Sequence, residues 1–179
     1  MALRGIQLGL RVWQFIFTLL VMALIGNIIA MAFAGNPATV NYAMFVSAFS
    51  MVSLFYLIPA SINTSWAIHP IIMVVLDVLN NIFFLTSGIA LAARLECHDC
   101  SNDDYTLHNN ITNGSHDREK RCREAQAAVA FLWFAWAGYM ASTIVSIMQA
   151  RSSTGGMRGR TGRAPRGGRP AGHPAMAQV

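Results

Sequence analysis

Charge is scarce in this sequence. Only 12% of its 179 residues are Asp, Glu, Lys or Arg, against ~25% in an ordinary soluble domain, while 54% are hydrophobic. Between Arg11 and Arg94 the one formal charge is Asp77. Acids are missing from both ends: residues 1–11 hold Arg4 and Arg11, residues 151–179 hold six Arg, and neither stretch has an Asp or Glu. Cysteine is confined to one segment, as Cys97, Cys100 and Cys122. Catalytic signatures are absent as well. There is no P-loop, no His-Glu-x-x-His, no nucleophile elbow and no Ser/His/Asp set that would fall on one side of a membrane. The chain reads as a single-domain membrane protein. It is expected to be neither an enzyme nor the holder of a cofactor or metal.

What is present is four apolar runs, each near the roughly 20 residues that a spanning helix needs. They cover residues 12–34, 41–60, 70–93 and 125–149. The first competes with a signal peptide, but it exceeds the about 7–15 residues of a signal core and is read as a retained helix. Gly35-Asn36-Pro37 breaks it by turn chemistry, so spans one and two are antiparallel neighbours. Pro59 is expected to end span two. Residues 61–69 form a short connector, and Pro70 suits a helix's first turn. In span four the small residues Ala127, Ala128, Ala135, Ala137, Gly138, Ala141 and Ser142 would permit close helix approach, or reflect only the usual composition of membrane helices.

Four spans put both termini on one side, and Arg-rich ends belong in the cytosol by the positive-inside rule. The polar 94–124 loop, with seven acids against four bases in residues 95–124, is then external, and 61–69 is cytosolic. Asn110-Ile111-Thr112 and Asn113-Gly114-Ser115 are candidate glycosylation sequons on the side where they are usable, whereas Asn63-Thr64-Ser65 lies on the other. The three cysteines also fall where oxidation is possible. Cys97-His98-Asp99-Cys100 with His116 and Cys122 can be drawn as a metal site. A disulfide pinning the loop's ends is favoured, worth ~3 kcal/mol in the chain-entropy model. It is drawn as Cys100–Cys122 with Cys97 left over, and Cys97 as the partner stays open.

Asp77, Asn80 and Asn81 share a face of span three. A carboxylate at membrane depth is costly by at least ~2.5–3.5 kcal/mol, so that face should look into protein. One reading is interhelical hydrogen bonding, with Asn27 of span one as partner. The other is a protonation-sensitive, lipid-headgroup or oligomer-contact site. In the tail, expected to be disordered, Arg158, Arg160, Arg163, Arg166 and Arg169 lie among glycines. No interleaved aromatic supports RNA binding, which leaves anionic inner-leaflet lipid or a solvated, topology-fixing tail.

Three runs carry a resemblance. They are Val40-Asn41-Tyr42-Ala43-Met44-Phe45; Leu76-Asp77-Val78-Leu79-Asn80 with Thr86-Ser87-Gly88; and Arg121-Cys122-Arg123-Glu124-Ala125-Gln126-Ala127-Ala128-Val129-Ala130-Phe131-Leu132. Over about residues 1–150, and again at Ala177-Gln178-Val179, the chain resembles fungal MARVEL-domain proteins of the non-classical export protein 2 type. The resemblance implies an all-α, four-transmembrane-helix bundle over 1–150 followed by a basic cytosolic tail, 151–179. It implies residence in sterol-rich, eisosome-supported compartments of the plasma membrane, a response to sphingolipid, and a part in export without a signal peptide. Asp77 and Asn80 match family motif positions, and Cys100 and Cys122 match its loop cysteine pair. Cys97 and the Arg/Gly-rich tail depart from it. The expected role is a membrane organiser whose partners are sterol, sphingolipid, anionic lipid, further copies of the chain and eisosome scaffold proteins, with no nucleic acid. The alternatives are a small transporter or proton-linked conduit using Asp77, or an accessory subunit of a larger complex.

Overall fold

A computed structural model describes residues 2–33, 35–63, 70–96 and 98–160. Cys97, Thr64, Ser65, Arg163, Arg166 and Arg169 lie outside the described residues, as does the final Ala177-Gln178-Val179. Five helices follow in order: α1 (Ala2–Ala30), α2 (Ala38–Ile62), α3 (Pro70–Leu95), the short α4 (Asp103–His108) and α5 (Arg118–Arg160). Four of them are long and apolar enough to cross a membrane, over Arg4–Ala30, Ala38–Ile62, Ile71–Leu95 and Arg118–Gln149. No strand occurs among the described residues. The chain is a multi-pass, all-helical membrane protein.

The long helices pack as a ring. α1 lies against α2 and α5, and α3 lies against α2 and α5. α1 and α3 therefore face each other across one diagonal, and α2 and α5 across the other. The surface is inverted relative to a soluble protein: Phe45, Val52, Phe55, Ile82, Phe134 and Ile144 point outward, where hydrocarbon rather than water would meet them.

Boundaries shift from expectation for local reasons. α1 stops at Ala30, not residue 34. Ala32 N–H bonds back to Ile29 O, and Phe33 N–H is taken by Gly114 O at 3.1 Å. The left-handed Gly35 (φ 86°) then turns the chain, a backbone state that glycine adopts freely. Pro59 does not end α2. The helix runs on to Ile62, and Asn63 N–H closes on Pro59 O at 2.9 Å, since neighbouring helices make an internal proline tolerable in a membrane. α5 starts at Arg118, earlier than residue 125. Asp117 caps it by accepting Lys120 N–H at 3.1 Å, and Glu119–Arg123 supports the first turns at i,i+4. The charges that made this stretch look like loop are what begin the helix. At its other end α5 continues to Arg160, so Arg158 and Arg160, assigned by sequence to a disordered tail, fall in helix.

Candidate functional site

Each of the four long helices contributes polar side chains to the half of the bundle nearer the two chain ends. On α1, Gln7, Arg11, Gln14 and Thr18 recur at helical spacing and all are buried. α3 brings Asp77 and Asn80, α2 brings Ser50 and Ser53, and α5 brings Tyr139, Ser142 and Ser146. Their centre is an ion pair across the α1–α3 diagonal. Arg11 Nη1 meets Asp77 Oδ1 at 2.5 Å and Nη2 meets Oδ2 at 2.8 Å, with both side chains 0% exposed. No Cα of α1 comes within 8 Å of one in α3 among the described residues. A long side chain is needed to cross that gap, and arginine's planar fork matches the carboxylate with two parallel bonds.

Further bonds come from α5 and α1, while Arg11 Nε, Gln7 Oε1 and Asn80 Oδ1 are buried without a protein partner among the described residues. Ser146 Oγ donates to Asp77 Oδ2 at 2.9 Å and accepts from Gln7 Nε2 at 3.3 Å. Arg11 Nη1 also donates to Gln14 Oε1 at 3.0 Å. Gln14 Nε2 in turn reaches Ser142 Oγ at 2.8 Å and Gly138 O at 3.1 Å. Deeper in the bundle the second diagonal is bridged by Ser50 and Tyr139, whose hydroxyls bond, with Thr18 beside Ser50 at 3.3 Å. Asn80 donates to Ser53 Oγ and Leu76 O, both at 2.9 Å. Beyond Tyr139 the polar seam ends against Val21, Ile25, Ile28, Phe84 and Leu132.

This arrangement corrects the sequence reading. Asn27 is not a partner of the Asp77 face, because it sits at the opposite half of α1 and donates to Glu124 Oε1 at 2.6 Å. Asp77 and Asn80 are fully enclosed within one chain, so neither touches lipid or a second copy. Asn81 parts from them: it is half-buried, with its amide near Met140 Sδ at 3.5 Å. Arg11, read from sequence only as a topology charge, is the counter-ion. The signal for it was present in the 7, 11, 14, 18 spacing, which places four polar residues on one face of α1. Of the small residues on α5, Ala128, Ala135, Gly138 and Ser142 face inward, whereas Ala137 is exposed. Gly138 permits the closest approach, since a Cβ there would stand 2.7 Å from Trp13 Cδ1.

The other end of the bundle is covered by the segment between α3 and α5. Cys100 and Cys122 are joined in a disulfide with Cα atoms 5.6 Å apart, tying the segment to the start of α5. With both sulfurs so used, they are not metal ligands, and no cluster of three His, Cys, Asp or Glu fit to hold a metal occurs among the described residues. The Ser101 N–H, bonded to Asp99 Oδ1 at 3.0 Å, and after it the Ser101 hydroxyl hold the Asp99 carboxyl below its ordinary range. Asn110 and Asn113 are exposed, but the hydroxyl residues of their sequons, Thr112 and Ser115, are buried.

Residues 2–145 match the family model MARVEL, a membrane-associating domain. Non-classical export protein 102 of Candida albicans is 38% identical over 172 residues, covering 95% of each chain. Non-classical export protein 2 of Saccharomyces cerevisiae is 35% identical over 147 residues, 80% of this chain and 81% of that one. The Schizosaccharomyces pombe homologue of the latter is 30% identical over 145 residues, 80% of this chain and 78% of its own. No solved structure matches.

Proposed function

The chain belongs to the MARVEL family of membrane-associating domains, and from that premise we propose that it organises lateral domains of the fungal plasma membrane. In this reading it gathers sterol-rich, eisosome-associated compartments, responds to sphingolipid, and contributes to the export of proteins that lack a signal peptide. The names of its relatives support the last element. Both termini face the cytosol and the 96–117 segment faces outward, as supported by the Arg-rich ends and the disulfide.

One observation carries the reading: the polar seam is closed within a single chain, so the outer faces of the four spans are left apolar. Exposed aromatic side chains such as Trp13, Phe45, Phe55 and Phe134 offer rigid surfaces to sterol, to sphingolipid tails or to another copy of the chain. The basic C-terminal residues hold anionic inner-leaflet lipid near eisosome scaffold proteins. The test is imaging of the tagged full-length chain in fungal cells. Sterol-overlapping patches that disperse when sphingolipid synthesis is blocked are expected, and an even distribution unaffected by the block would refute the role.

A proton-linked conduit has one observation in its favour, the hydrogen-bonded run from Gln7 through Asp77 to Arg11 and Gln14. Its weakness is the apolar plug of Val21, Ile25 and Ile28 beyond Tyr139. Proton flux in proteoliposomes that Asp77→Asn abolishes would promote it. An accessory-subunit role would instead show as co-purification at fixed stoichiometry.

A further inference from the structure

Where the segment between α3 and α5 covers the bundle, two arginines stand without an ion-pair partner among the described residues, although residues 95–124 carry seven acids against four bases. Arg121 is fully buried. Its Nη1 donates to Gly114 O at 3.0 Å and its Nη2 to Asn36 Oδ1 at 3.1 Å, while its Nε has no protein partner among the described residues. Arg94, at the last turn of α3, is exposed. Neither arginine takes part in any ion pair among the described residues. Glu96 and Asp104 share an adjoining cleft with Arg94 without pairing with it.

Between the two arginines lies a cleft of about 470 Å³. Asn36 and Gly114, the two groups that Arg121 holds, form part of its wall, with Thr39, Arg94, Asn110 and Asn113 completing the polar lining. No acid lines it. α2 begins at the same place, with Pro37 as N-cap and no side chain capping the first turn. Thr39 Oγ1 is buried there without a protein partner among the described residues. The one formal charge in the lining, that of Arg94, is positive. A guanidinium buried without a counter-charge is unfavourable, an uncapped helix start presents N–H groups and partial positive charge, and such a start favours phosphate.

We propose that this cleft binds a phosphate-bearing anion. Arg94 supplies the exposed charged donor. The first turn of α2 and the Thr39 hydroxyl supply neutral donors. Arg121 is the buried charge behind the wall, acting through Asn36. Because Arg94 closes span α3, the cleft stands at the level of lipid headgroups, and the phosphate arrives either on a phospholipid or free in solution. The site stands apart from the organising role proposed above; only the leaflet it faces rests on that orientation.

The full-length chain in phosphatidylcholine nanodiscs containing a minor fraction of phosphatidylglycerol, wild type beside Arg94→Gln, tests this by native mass spectrometry of retained lipid. A second arm titrates inorganic phosphate against chloride at equal ionic strength in discs of phosphatidylcholine alone, read by thermal shift. Lipid held by the basic C-terminus is common to both variants and cancels in the comparison. Wild type is expected to keep phosphatidylglycerol over phosphatidylcholine, with a preference that falls roughly tenfold in R94Q on loss of a charge-assisted bond. A thermal shift with phosphate that R94Q lacks assigns the site to the free anion, and retention alone assigns it to lipid. Equal behaviour of the two variants in both arms overturns the proposal. Should R94Q fail to fold, Thr39→Val removes one neutral donor from the same cleft, and its matching wild type in both arms would overturn the proposal equally.

Discussion

At the residue scale the decisive object is a pair of charges that neither lipid nor protein would accept singly. Asp77→Leu leaves Arg11 buried without its partner, and breaking such a pair destabilises by about 3–5 kcal/mol. The double variant Arg11→Met with Asp77→Leu is expected to recover most of that loss, because an apolar replacement removes both desolvation penalties together. Unfolding midpoints in a detergent titration measure the four corners of the cycle. A D77L midpoint equal to wild type would mean that the pair does not hold the fold. Gly138 offers a contrasting case, steric instead of electrostatic. A Cβ at 2.7 Å from Trp13 Cδ1 must displace a ring that is itself bonded to Phe134 O at 3.0 Å. Gly138→Ala is therefore expected to destabilise by about 1–3 kcal/mol through overpacking, read by the same titration, and unchanged stability would show that α1 moves aside freely.

At the element scale, α5 carries both the polar seam around Tyr139 and the disulfide-tied end of the molecule. Its first turns stand clear of the seam, held by the Asp117 cap and the disulfide at Cys122. Asp117→Ala should weaken the helix start by about 1 kcal/mol. Amide exchange should accelerate over the turn after Arg118 while the amides around Tyr139 stay protected. Acceleration along the whole helix would show that cap and seam are one cooperative unit. The start of α5 was open to reading from sequence, since an Asp placed to cap a helix and a Glu119–Arg123 spacing are helix signals. Hydropathy alone hides them, because a charged helix start scores as loop.

At the scale of the whole molecule, folding order bears on modification. Thr112 is buried and donates to Thr106 O at 2.7 Å, so the hydroxyl of the Asn110 sequon is engaged once the segment has folded. Glycosylation at Asn110 then has to precede closure of the segment. Cys122→Ser, which leaves the segment untied, is expected to raise glycan occupancy, seen as a gel shift that an endoglycosidase removes. Equal occupancy in wild type and C122S would show that closure does not gate modification. Since Asn110 and Asn113 line the cleft beside Arg94, a glycan at either would also compete with an anion there.

The four spans were legible because hydropathy is local: a run of apolar residues needs no knowledge of its neighbours to favour hydrocarbon. The inward turn of Asp77 and Asn80 was legible for the same reason, as lipid rejects a carboxylate whatever lies on the other side. What faces Asp77 was not. Arg11 and Asp77 are 66 residues apart and meet across a diagonal of the ring, so their pairing follows from which helices are opposite and from the register between them. Asn27 lies on the same helix but roughly 24 Å further along its axis at 1.5 Å per residue, a separation legible in the sequence, and it meets Glu124 at that end. Arg121 shows the same division. Its charge is evident in the sequence, but only the tertiary structure buries it behind Asn36 and Gly114, because burial is decided by distant segments closing over a side chain.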